Sequence, residues 1–212
     1  NKTFDELISQ EIPSKPKTLS WVVGNARDLP GHRKRWAFLE YIQKDGSLDI
    51  DLFGRAVKVI DDKWDGLAPY KYSLAIENSS SPDYWTEKIA DCFLSWSVPI
   101  YYGCTNLDEY FPPRSFIRIN IDSPEEAFES VKTILEQDNW ENRLPALKEA
   151  RDLVLHRYQL FPHLSRLIEA QPKKDLKSVG VVISPYRRSK KASLYHLQYK
   201  ILKLIKFPFQ DN

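Results

Sequence analysis

Two loops in this chain end in charge where a helix begins. Residues 77–88 run Glu77, Asn78, Ser79, Ser80, Ser81, Pro82, Asp83, Tyr84, Trp85, Thr86, Glu87, Lys88, so polar groups are followed by a hydroxyl, a carboxylate and an ammonium within one turn. Residues 24–35 close on His32, Arg33, Lys34 and Arg35. The first N–H groups of a helix are unpaired and carry positive partial charge, so cationic side chains placed there add to a ready anion site. A carboxylate beside such cations suits a nucleotide, because it accepts both ribose hydroxyls while Lys and Arg neutralise a diphosphate. The same spacing fits a Glu87 that only completes a helix N-terminus and a Lys88 that faces water. Composition and period reach an anion site and stop there.

These loops need a scaffold that brings them to one place. Residues 19–23, 48–53, 72–76, 98–102 and 116–119 read as short strands. Trp36, Leu39 and Ile42 recur on one face of a helix over 33–43. Ile89, Phe93 and Trp96, with the small Cys92 beside them, share a face of a helix opened by Thr86. Another helix covers 124–135, with Pro124 early and Glu125 and Glu126 in its positive first turn. Helical spacing continues over 143–160 and, through Leu194, Leu197, Ile201 and Leu204, over 189–206. Strand, loop, helix, strand occurs three times by residue 103, which implies an α/β fold, a Rossmann-like parallel sheet with helices on both faces. Ligands of such sheets sit outside the carboxyl ends of the strands, where loops 24–32, 54–60 and 77–86 emerge. The expected division is a lead-in over 1–17, the sheet domain over 18–170 and a basic C-terminal helical extension over 171–212.

Composition narrows the function classes. With 212 residues, 42% hydrophobic and 28% charged, the chain can bury a real core. No apolar run approaches the roughly 20 residues that span a bilayer. Two cysteines, Cys92 and Cys104, make no disulfide framework and read as buried thiols. His156, His163 and His196 match no metal-ligand spacing. Asp49-Ile50-Asp51 has the form of a cation-binding DxD but falls inside an expected strand instead of the loop after it, so no metal is expected. The net charge of +2 hides a gradient: residues 173–206 carry ten Lys or Arg against Asp175, while residues 1–170 carry 21 basic and 27 acidic side chains. The tail therefore suits an anionic membrane surface as readily as plain solvation. Its separation from the aromatic-rich body disfavours nucleic acid. The absence of Met and the start at Asn1 lead us to expect a natural N-terminus upstream. Asn78-Ser79-Ser80 is a glycosylation sequon inside a ligand loop, as Asn1-Lys2-Thr3 is at the start. With the free thiols this favours a bacterial cytoplasm, peripheral on the inner membrane, with a Golgi lumen as the alternative.

Residues 70–103, YKYSLAIENSSSPDYWTEKIADCFLSWSVPIYYG, resemble the signature of the α1,3/4-fucosyltransferases, glycosyltransferase family 10, in their C-terminal half. The likeness rests on Tyr70-Lys71-Tyr72, Glu77-Asn78-Ser79, Asp83-Tyr84, Thr86-Glu87-Lys88, Val98-Pro99 and Gly103. It extends upstream through Ser20-Trp21-Val22-Val23, the helix at Arg33 and Asp51-Leu52-Phe53-Gly54-Arg55, and downstream through Pro113-Arg114-Ser115-Phe116-Ile117. The resemblance implies a GT-B enzyme whose C-terminal half binds GDP-fucose while an N-terminal half, missing here, holds the acceptor glycan. It implies Arg33 and Lys88 as diphosphate-binding cations that stabilise the leaving group, Glu87 as the ribose carboxylate, and Asn78 and Tyr84 as residues lining the donor pocket. Arg35 reaches the place of Arg33 after a small loop shift, His32 either meets a phosphate or faces water, and Glu77 and Ser79 are expected as support rather than contacts. The reaction expected is inverting transfer of fucose to a hydroxyl of an N-acetylglucosamine- or glucose-type acceptor. It needs no cofactor, and its base is a carboxylate of the missing half. The alternative is a non-catalytic nucleotide-binding module with a regulatory or scaffolding role.

Overall fold

The computed structural model describes residues 2–55 and 57–170. The chain divides into two units, Asn1–Ala170 and Gln171–Asn212; the basic tail and the helix expected over 189–206 lie outside the described residues. Five strands, β1 (Lys17–Val22), β2 (Asp51–Phe53), β3 (Tyr70–Ile76), β4 (Val98–Tyr102) and β5 (Ile117–Arg118), form one sheet in the order β2-β1-β3-β4-β5. Every pairing is parallel, with Leu19 opposite Tyr72 and Tyr72 opposite Val98. β3 lies at the centre, and Tyr72 through Ile76 are all buried, as a strand covered on both faces requires. Ser20 and Ser73 satisfy each other inside this sheet, Oγ to Oγ at 3.2 Å.

A short helix, α1 (Phe4–Ser9), precedes the sheet, and the later helices cover both of its faces. α2 (Pro30–Asp45) starts with Pro at its first position and stops at Gly46, whose φ of 69° makes a left-handed cap. α3 (Glu87–Leu94) is capped by Thr86, whose side chain accepts from the Lys88 N–H. Right-handed crossovers that leave β1 and β3 in opposite directions put α2 and α3 on opposite faces. α2 packs on α4 (Pro124–Gln137), where the Tyr41 and Phe128 rings meet at 5.4 Å. α3 packs on α5 (Trp140–His156), and Arg151 Nε donates to the Leu94 carbonyl at 3.3 Å.

Two expectations need correction. Among the described residues between β2 and β3 there is no α-helix, only a 3-10 turn at Lys63–Gly66. The segment Asp61-Asp62-Lys63-Trp64-Asp65-Gly66 has no apolar stripe at helical spacing, and the Asp62 carboxylate accepts from the Trp64 N–H at 2.9 Å and holds the turn. Helical spacing over 143–160 is met by α5 alone, which ends at His156; a separate α6 (Leu160–Glu169), not expected from the sequence, follows an extended Gln159. No helix among the described residues is long and apolar enough to cross a membrane.

Candidate functional site

The chain leaves β1 towards β2 on one side and leaves β3 towards β4 on the other. Their carboxyl ends therefore border the crevice where the connections diverge, which is where ligands of such sheets bind. A cavity of about 660 Å³ occupies that place. Val23 and Gly24 line it after β1, Ile76 at the end of β3 and Asn78 after it, His32 and Arg35 from α2, and Glu87, Lys88 and Asp91 from α3. Residues 59–61 line it from the segment that lacks a helix, so the missing crossover helix leaves room for the opening.

Glu77 fixes one wall. Its side chain is fully buried just beyond β3. Oε1 accepts from the Thr86 N–H at 2.9 Å and from Thr86 Oγ1 at 2.7 Å, and Oε2 accepts from Lys88 Nζ at 2.9 Å. The first turn of α3 is thus tied to the end of β3 by one carboxylate. Gly103, at φ 156°, keeps that carboxylate in place: a Cβ there would come within 2.5 Å of Glu77 Cγ. Lys88 Nζ also lies 3.6 Å from Glu87 Oε1, with the Lys88 side chain 25% exposed. Burial works to raise the Glu87 carboxyl, but Lys88 and Thr86 outweigh it and hold the group below the ordinary carboxylate range. The first turn of α3 therefore offers an ionised carboxylate and an ammonium at the cavity.

α2 supplies the opposite wall. Arg35 Nη1 donates to Asn78 Oδ1 at 2.6 Å, and Nη2 donates to the carbonyls of Gly24 and Ala26 at 3.1 and 3.3 Å. Its Nε is buried without a hydrogen-bond partner among the described residues. Burial lowers the guanidinium pKa, opposed by the charge of Glu77. Gly31 permits this approach, since a Cβ there would stand 1.6 Å from the Asn78 carbonyl oxygen.

The structure brings Asn78, Glu87 and Lys88 together at the cavity. It does not bring Arg33 there: this side chain is exposed, and Nη1 donates to the Asp28 carbonyl at 3.2 Å. Tyr84 sits at the surface of the loop, outside the cavity lining. That loop is pinned by Asp83, whose φ is 60° and whose carboxylate accepts from Asn106 Nδ2 at 2.9 Å and from the Tyr110 hydroxyl. His32 and Arg35 each stand four residues before a residue of the apolar stripe, Trp36 and Leu39, but Arg33 stands three before Trp36, so the period alone does not choose between them. The Asp-Ile-Asp sequence lies at the amino end of β2, away from the cavity. There Asp51 Oδ2 accepts from Lys17 Nζ and from the Tyr70 hydroxyl, both at 2.7 Å.

Residues 12–143 match the family described as glycosyltransferase family 10 (fucosyltransferase), C-terminal. The chain belongs to this family. Among its relatives is 4-galactosyl-N-acetylglucosaminide 3-alpha-L-fucosyltransferase 9 of Mus musculus, 35% identical over 132 residues, which are 58% of this chain and 35% of that protein. Another is 3-galactosyl-N-acetylglucosaminide 4-alpha-L-fucosyltransferase FUT3 of Pan troglodytes, 32% identical over 114 residues, 51% of this chain and 29% of the relative. The chain thus spans about a third of the length of the curated relatives it matches. A crystal structure of an alpha1,3-fucosyltransferase with GDP-fucose is similar at a TM-score of 0.50 and 27% identity, covering 65% of this chain and 40% of that one. The same enzyme class with GDP matches at the same score. The glycosyltransferase family 10 region takes in all five strands and α2 to α4, and with them every residue that lines the cavity.

Proposed function

We propose that this chain is the donor-binding part of an inverting fucosyltransferase that moves fucose from GDP-fucose to a hydroxyl of an N-acetylglucosamine- or glucose-type glycan. The observation that carries the reading is the cavity at the β1/β3 crevice, where Glu77 holds Lys88 beside an ionised Glu87 and across from Arg35. The GDP-fucose and GDP complexes of a similar enzyme support the choice of nucleotide. The names of the relatives, which act on galactosyl-N-acetylglucosaminides, support the acceptor class. Asn78 and Tyr84 belong to this proposal as donor-loop residues, one at the cavity and one at the loop surface.

In this reading Glu87 accepts the ribose hydroxyls, and Lys88 and Arg35 meet the diphosphate. As the acceptor oxygen attacks the anomeric carbon from the opposite face, the bond from that carbon to the β-phosphate oxygen breaks and charge grows on departing GDP. Cations already in place stabilise that charge without reorganising. The chain's own cations are the groups we assign to this, so we propose no metal or other cofactor. The proton of the acceptor hydroxyl goes to a carboxylate contributed by the acceptor-binding half. The basic residues 173–206 suit an anionic inner-membrane surface; absence of vesicle co-sedimentation at low as well as high salt would count against that contact.

Calorimetry with GDP tests the donor reading. The intact chain should bind GDP in preference to ADP. Lys88→Ala and Glu87→Ala should each weaken binding about tenfold or more, the scale of a lost hydrogen bond to a charged group. Arg33→Ala should leave it within about threefold, since that side chain is turned away from the cavity. Unchanged affinity in both the Lys88 and Glu87 variants would overturn the assignments, and no saturation at millimolar GDP would overturn the reading itself. Binding without any transfer in the presence of an acceptor-binding half would favour the non-catalytic alternative.

A further inference from the structure

We infer that His32 binds the donor diphosphate as an uncharged hydrogen-bond donor, presenting Nε2–H in a tautomer that the backbone fixes in advance. The inference rests on the donor-site reading above and concerns a residue which that reading leaves without a role. His32 is 8% exposed and lines the cavity one helical turn before Arg35 and Trp36. Its Nδ1 accepts the Leu29 N–H at 3.4 Å, at the start of α2. A ring nitrogen that accepts a backbone N–H carries no proton, so the proton of the neutral ring resides on Nε2. Among the described residues Nε2 has no hydrogen-bond partner, although the ring borders the cavity.

The surroundings keep the ring neutral. From α2, Arg35 faces it; from α3, Lys88; from the loop before α2, Asp28. Burial lowers its pKa most, Arg35 and Lys88 lower it further, and Asp28 opposes them without prevailing. A proton on Nδ1 would set two donors, Nδ1–H and the Leu29 N–H, against each other. It would also put a third cation beside Arg35 and Lys88, at the positive end of a helix. The ring therefore adds a donor to the anion site without adding charge. A diphosphate meets two charged contacts, Lys88 and Arg35, and a directional neutral one on the wall that carries Arg35.

Two substitutions separate binding from structure, because Asn places an acceptor where Nδ1 lies and Gln places an N–H donor where Nε2 lies. His32→Asn keeps an acceptor for Leu29 and loses the donor; His32→Gln does the reverse. The probe is GDP-fucose, whose esterified diphosphate has no ionisation near pH 6 to confuse the result, unlike a terminal phosphate. In calorimetry on the full chain, His32→Asn should bind GDP-fucose about tenfold or more weakly, while His32→Gln stays within about threefold of the parent even if it unfolds at lower urea. Ring ¹⁵N shifts of His32 in the parent should report the neutral Nε2–H tautomer with and without GDP-fucose, with the Nε2 signal moving on binding. Undiminished binding in His32→Asn, an imidazolium signature in the bound state, or an Nε2 signal that ignores the ligand would each overturn the inference and leave the donor site standing. Failure of the parent to bind GDP-fucose would remove the site reading, and this inference with it.

Discussion

Glu77 does more for the site than any residue expected to touch a ligand. It gathers two bonds from Thr86 and one from Lys88 onto one fully buried carboxylate. Such a group stabilises only while its partners are present, and removing it leaves the Thr86 N–H and the partly buried Lys88 ammonium without their acceptor. Glu77→Ala should lower the urea midpoint by the equivalent of about 3 kcal/mol with the m-value unchanged. It should also weaken GDP binding although Glu77 is not among the residues that line the cavity. A variant of parental stability would show that Lys88 and Thr86 find other partners. Sequence reading expected Glu77 as support rather than contact but not what it supports, because nothing in the run Glu77-Asn78-Ser79 reveals that its carboxylate turns inward to Thr86 and Lys88.

Among the elements, what was legible followed local rules. Thr86 as the cap of α3 and Pro124 at the start of α4 were read correctly because capping and proline chemistry act within a few residues. α2 was legible as a helix but not in its phase. Trp36, Phe38, Leu39 and Ile42 are buried, each worth about 1.5–3 kcal/mol, and that apolar load rotates His32 and Arg35 inward and Arg33 outward. The helix wrongly expected between β2 and β3 came from counting repeats, not from an apolar stripe in those residues. Close approach of elements was illegible too, since it depends on residues far apart in the chain. Gly31 shows it: Gly31→Ala should force α2 and the segment after β3 apart and weaken GDP binding about tenfold or more, checked by calorimetry. Gly46→Ala, with open space around its Cβ position, should cost only about 1–2 kcal/mol of stability and leave affinity unchanged.

At the scale of the molecule, one half-buried cation makes stability depend on pH. Lys15, just before β1, donates Nζ to the Ser95 carbonyl at 2.6 Å and to Ser97 Oγ at 3.3 Å, beyond the end of α3. Burial lowers its pKa to about 7, against 10.5 for the free side chain, with the nearby Cys92 opposing slightly. Between those two values the unfolded chain binds more protons than the folded one, so this residue makes stability rise with pH, and below about 7 its full cost is present. Lys15→Met should therefore gain most over the parent below pH 7, with the gain shrinking towards pH 10, as read from urea midpoints across that range. A difference independent of pH would show that Lys15 keeps its proton throughout.

The central pairing has a consequence in time. β1 lies against β3 with Lys17 opposite Tyr70 and Ser20 opposite Ser73, so the chain must place α2, β2 and the long segment after it before the two strands can meet. Contacts this distant in sequence close late and slow the approach to the native state. The crevice exists only after that closure. A nucleotide that holds the two strand ends together therefore meets nothing to bind until the barrier has been crossed. GDP should slow the unfolding of this chain in stopped-flow experiments and leave its refolding rate as it was.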